Sequence, residues 1–102
     1  MKRFRVHRLA RREISDAFLH YQNIDDPALA PDFQQKLEIA FQELRQNPER
    51  YPRWRRTQVR KYVLKRFPYL IFYVDYPERI RVIAIAHTSR RPGYWKTRIA
   101  VD

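Results

Sequence analysis

Apolar and polar residues alternate over 3–7, RFRVH: Phe4 and Val6 share one parity, Arg3, Arg5 and His7 the other. A period of two with one apolar face suits a short edge strand. The period then changes. Ala10, Ile14, Ala17, Phe18 and Tyr21 lie at i, i+4, i+7, i+8 and i+11, while Arg11, Arg12, Asp16 and Gln22 fall on other faces. That is one stripe of an amphipathic helix, ended by Asn23 and the Asp25-Asp26-Pro27 cluster. Phe33, Leu37, Ala40, Phe41 and Leu44 repeat the same spacing. Pro31 is expected at the first position of this second helix, where its missing N–H leaves no bond unmade, and Asn47-Pro48 is the stop. Two helices with matching stripes and a short link read as an antiparallel hairpin.

Beyond Pro52 the helical period disappears. Residues 59–67, VRKYVLKRF, form a strand candidate with charges on both parities, and Pro68 marks a turn. Residues 69–76, YLIFYVDY, are almost wholly apolar, as in a central strand covered on both faces. Residues 79–88, RIRVIAIAHT, form a third strand after the tight Tyr76-Pro77-Glu78 link. Such short links make consecutive strands antiparallel. The expected fold is therefore α+β: an N-terminal strand and a two-helix hairpin packed on a small antiparallel sheet, as one domain over 1–102. The pattern holds no internal repeat, low-complexity stretch or linker.

Charge sharpens this picture. The chain of 102 residues carries 22 basic against 11 acidic side chains, a net of +11, and most of the bases are arginine. Residues 1–50 hold 9 bases and 8 acids; residues 51–102 hold 13 and 3, so 13 − 3 = +10 of the excess lies in the second half. Segregated, arginine-rich charge calls for an anionic partner: nucleic acid, an acidic protein segment or a membrane surface. Cysteine is absent, which excludes disulfides and thiolate metal sites. His7, His20 and His87 lack metal-ligand spacing, so no metal or other cofactor is expected. No apolar run approaches the roughly twenty residues that span a bilayer. The basic start, MKRFRVHRLARRE, has no apolar core or small-residue cleavage pattern, so no signal peptide and a cytoplasmic site are expected.

Candidate chemistry gathers at AHTSRRPGYW, residues 86–95. Metal-free RNA cleavage needs a base near the 2′-hydroxyl, cations around the phosphate and an acid for the leaving oxygen. Arg60, His87, Arg90 and Tyr94 offer such a set. The alternative is architectural: a histidine at a strand end often bonds only the backbone. The second half's acids, Asp75, Glu78 and Asp102, give His87 no convincing partner. A binding surface is the other reading, with Arg53, Trp54, Arg55, Arg56, Arg60, Arg90, Arg91 and Trp95 meeting a target or partner. Tyr62 in RRTQVRKYVLKR either stacks on bases or fills the core. Trp54 and Trp95 suit partner anchors, while Trp95 equally suits a lid over the core. Gly93 serves a turn that needs positive φ.

These residues also carry a likeness. VRKYVLKRFPYLIFYVDY (59–76) and RIRVIAIAHTSRRPGYW (79–95) contain Arg60, Phe67-Pro68-Tyr69, His87, Arg90, Pro92 and Trp95 in an order that resembles the RelE/ParE superfamily of bacterial type II toxins. REISDAFLHYQ (12–22) and FQQKLEIAFQELRQNPERYP (33–52) look like that family's two helices. The resemblance, which reaches plasmid stabilisation proteins of the ParE branch, implies a growth-inhibiting toxin and a cognate antitoxin. The antitoxin's acidic, disordered segment would fold over the basic surface, giving a hetero-oligomer. It further implies one of two targets: DNA gyrase, bound without catalysis, on the ParE side, or mRNA cleaved in the ribosome on the RelE side. FPYLIFY and His-x-x-Arg-x-Pro-x-x-Trp look more like the ParE side.

Overall fold

The computed structural model describes residues 2–99; Asp102 lies outside them. In chain order the elements are β1 (Arg3–Val6), α1 (Arg8–Gln22), α2 (Leu29–Gln46), β2 (Val59–Val63), β3 (Tyr69–Asp75), β4 (Arg79–His87) and a 3₁₀ turn at Lys96–Arg98. The sheet order is β1-β4-β3-β2. β2, β3 and β4 form the antiparallel meander expected from their short links. β1 joins its free side in parallel with β4, Arg3 to Val6 facing Arg79 to Val82, so the sheet is mixed. The whole helical hairpin separates β1 from the meander, and a long connection permits parallel pairing.

Two boundaries differ from the periodicity. α2 begins at Leu29, so Pro31 sits inside its first turn rather than at its first position. The first four helical N–H groups have no intrahelical acceptor, so proline is tolerated there too. Asp26 starts the turn by accepting from the Ala28 N–H at 3.1 Å. β2 stops at Val63 instead of reaching Phe67. Arg66 adopts φ 73°, which breaks an extended strand, and the Leu64 N–H closes the hairpin on the Tyr69 carbonyl at 3.0 Å.

The sheet is apolar on both faces, and the two covers differ. Against the helices lie Tyr62, Tyr69, Ile71, Tyr73, Ile80, Val82 and Ile85, packed on Ala10, Ala17, Tyr21, Phe33, Leu37 and Leu44. Tyr62 is thus a core residue. The opposite face presents Val59, Phe72, Val74, Ile83, Ala84 and Ala86, and its cover is Trp95 with Trp54, Tyr94 and Ile99 around it. A register shift at Phe72/Tyr73, where Phe72 faces Ala84 but Tyr73 faces Val82, leaves Ile83 as the extra residue of a bulge.

His7 joins β1 to α1. Its N–H donates to the Val82 carbonyl at 2.9 Å, and its Nδ1 accepts from the Leu9 N–H at 3.0 Å as the helix cap. Burial, then the charges of Arg81, Arg98 and Arg8, lower its pKa against a smaller opposing effect of Glu13. The unfolded histidine titrates near 6.5, so below that pH the unfolded chain binds the proton first. Stability should therefore be full above about pH 7, fall as pH drops below about 6.5, and level off beneath the folded value. His7→Asn keeps the cap and should remove that part of the slope. His7→Ala should cost about 1 kcal/mol at pH 7.5. Urea unfolding of the three proteins between pH 4.5 and 7.5 checks both; parallel slopes for the parent and His7→Asn would refute the assignment.

Candidate functional site

β4 runs out at His87 into a compact turn. The Arg90 N–H bonds the His87 carbonyl at 2.9 Å, and the Tyr94 N–H bonds that of Arg91 at 3.2 Å. Gly93 sits at φ +79°, where a Cβ would lie 2.7 Å from Lys96 Cε and 3.3 Å from Trp54 Cη2. Only glycine fits this reversal without strain. The reversal sends Trp95 inward to 1 % exposure, its ring 4.6 Å from that of Phe72 and 4.9 Å from that of Trp54. Between the turn and the sheet a crevice of about 130 Å³ remains, lined by Trp54, Lys61, His87, Arg90, Arg91 and Tyr94 among others.

A clasp from the first helix holds this turn. β1 ends opposite Val82, so β4 from Ile83 onward has a free edge with backbone groups to satisfy. Glu13 of α1 accepts from the Ile85 N–H at 3.0 Å. Its carboxylate takes a bidentate pair from Arg98, at 2.8 and 3.1 Å, and the Tyr94 hydroxyl donates to it as well. Arg98 in turn donates to the Ile83 carbonyl at 3.1 Å, and Arg81 donates to the Arg98 carbonyl at 3.1 Å. Burial, with the Glu13 hydrogen bond and charge, pushes the Tyr94 hydroxyl well above the ordinary tyrosine range.

The four residues of the cleavage set do not meet. His87, Arg90 and Tyr94 share the crevice. Arg60 belongs to the strand parity of Tyr62, and its guanidinium bonds the carbonyls of Tyr51 and Glu49 at 2.7 and 3.2 Å, pinning the turn after α2. His87 Nδ1 accepts from the Ser89 N–H at 3.0 Å and lies 2.7 Å from the Ser89 hydroxyl. The neutral ring then carries its proton on Nε2 and has no lone pair left to act as a base. Tyr94 is held protonated by Glu13, and Arg90 stacks over its ring at 3.9 Å.

Among the binding candidates, Arg53, Arg55, Arg56, Arg90 and Arg91 are exposed and Trp54 is half-buried. Arg55 stacks on the Trp54 ring at 4.3 Å and Lys96 at 5.5 Å. Trp95 is buried, so the lid reading holds and the partner anchor does not: its indole offers nothing to a partner surface. Sequence reasoning missed Glu13 and Arg98, and reached Lys61 only as part of the basic stretch RRTQVRKYVLKR. Glu13 had a signal, because it stands three residues after Ala10 and four before Ala17, an acid on the buried stripe. Arg98 had none, since only the fold brings it to the turn. Among the described residues no group of three His, Asp or Glu side chains is placed to hold a metal, and no helix is long and apolar enough to cross a membrane.

Comparison with known families matches residues 4–92 to the ParE toxin of type II toxin–antitoxin systems, parDE. Comparison with curated proteins returns no match. Among solved structures, a chain of the chromosomal ParDE toxin–antitoxin system from P. aeruginosa superposes with a TM-score of 0.74 at 20 % identity, covering 85 % of this chain and 96 % of that one. At that identity the likeness speaks for the fold alone, including its helical hairpin and four-stranded sheet.

Proposed function

The chain belongs to the ParE toxin family of type II toxin–antitoxin systems, and from that membership we propose that it arrests growth by poisoning DNA gyrase in the bacterial cytoplasm. Membership implies an antitoxin partner. We assign neutralisation to an acidic antitoxin segment that folds on the basic second half, where 13 bases stand against 3 acids.

The observation that carries a binding-type inhibitor over an mRNA endonuclease is the disposition of the four cleavage candidates. A general base must reach the proton it removes with a free lone pair, and the phosphate's cations must surround the same point. Here Arg60 is committed to backbone carbonyls, His87 to Ser89, and Tyr94 to Glu13. Purified toxin should inhibit supercoiling by gyrase or trap gyrase-cleaved DNA, and stoichiometric antitoxin should reverse the effect. Unaltered supercoiling at several-fold excess of toxin would sink the gyrase reading. RNA-end mapping on translating ribosomes, run beside it, should find intact message; cuts in the decoding site would establish the endonuclease instead.

A further inference from the structure

We propose that the crevice beneath the β4 turn is a phosphate-backbone site through which this toxin grips DNA directly, independent of its contact with gyrase protein. Three cationic residues line it: Lys61 from β2, and Arg90 and Arg91 from the turn. No aspartate or glutamate lines it.

Size and chemistry select the ligand group. About 130 Å³ is the share of roughly four waters, enough for a phosphate and too small for a nucleoside, since pockets that enclose whole small molecules run to several hundred cubic ångströms. The aromatic rings at the rim are already covered by the protein's own cations: Arg90 and Arg98 over Tyr94, Arg55 and Lys96 over Trp54. Those two rings are therefore already occupied as platforms for stacked bases. What the crevice offers is three cations, Lys61, Arg90 and Arg91, set among apolar residues such as Leu70, Phe72 and Trp95, and it is the cations that suit the phosphates of a nucleic-acid backbone. The exposed Arg55, stacked on the Trp54 ring, adds positive charge on that side of the crevice. The choice of DNA as the polyanion rests on the gyrase reading.

The test is fluorescence anisotropy of a labelled 20-base-pair duplex with the full-length toxin across a range of salt. Three phosphate contacts by Lys61, Arg90 and Arg91 give a log–log salt slope of about −3. The Arg90→Ala/Arg91→Ala double variant should lose about tenfold or more in affinity and about 2 from that slope. Arg11→Ala/Arg12→Ala removes the same charge from exposed positions on α1 and should leave the slope unchanged. Circular dichroism confirms that both variants fold. The chain's two tryptophans, Trp54 and Trp95, both border the crevice, so their emission should shift on DNA addition in the parent and not in the Arg90/Arg91 variant. Equal slope changes in the two double variants would overturn the site in favour of diffuse charge. Polyglutamate binding as tightly as DNA at matched charge and salt would overturn it in favour of an acidic protein segment. Poisoned gyrase without localised DNA binding defeats this inference alone; localised DNA binding with untouched gyrase defeats the gyrase reading alone.

Discussion

Replacing Glu13 by alanine should destabilise the fold by about 3 kcal/mol, the low end of what breaking a buried ion pair costs. Both partners are largely enclosed, with side-chain exposures of 15 % for Glu13 and 11 % for Arg98. The loss has three parts that share one carboxylate: the Arg98 guanidinium is left buried without its counter-charge, the Tyr94 hydroxyl loses its acceptor, and the Ile85 N–H on the free edge of β4 loses its partner. Glu13→Gln keeps oxygen and amide at the same place but removes the charge, and should cost about 1–2 kcal/mol. Guanidinium unfolding measures both. Amide exchange adds a local signature: protection at Ile85 and across residues 94–99 should fall together, because the clasp couples α1 to the turn. A loss below about 1 kcal/mol for Glu13→Ala would mean that the pair does not hold the turn.

Trp95→Ala should be at least as costly, about 3–5 kcal/mol, the range for deleting a large buried aromatic. On a domain of this size that lowers the melting temperature by at least about 12 °C. The indole is the largest fully buried side chain, and it is the main cover of the second sheet face over Phe72. Trp54→Ala should cost less, since Trp54 is half-buried and sits at the margin of the same cluster. The pair of measurements separates lid from anchor. A lid gives a lowered melting temperature. An anchor would give weakened antitoxin binding with the melting temperature unchanged, and that result at Trp95 would contradict its burial.

These two residues mark where sequence and structure part. The stripe from Ala10 to Tyr21, its copy from Phe33 to Leu44, and the apolar run at 69–76 are local patterns whose period alone selects helix or strand, and all three stand in the fold. Pro31 and Arg66 show the limit of local reading: a proline is harmless anywhere in a helix's first turn, and nothing in KRFP announces a left-handed arginine. The likeness at 59–76 and 79–95 was legible for the same reason as the strands, because it lies in the order of residues along the chain, and the family match over 4–92 agrees with it.

The site was only half legible. His87, Arg90 and Tyr94 are close in sequence, so their meeting in one crevice follows from the chain itself. Arg60 was grouped with them by type, yet strand parity turns it to the other side, where carbonyls of residues 49 and 51 take it up. By itself the sequence determined the elements, the two-helix hairpin, the antiparallel meander and the basic bias of the second half, since each depends on neighbours within a few turns or strands. Only the tertiary structure decided that β1 pairs in parallel with β4, that Trp95 closes the second face, and that Glu13 reaches across to Arg98 and Tyr94. The first and last of those choices join residues more than seventy positions apart and the second joins residues more than twenty apart, and it is packing and the need to satisfy buried polar groups, with no periodicity to announce them, that makes such contacts.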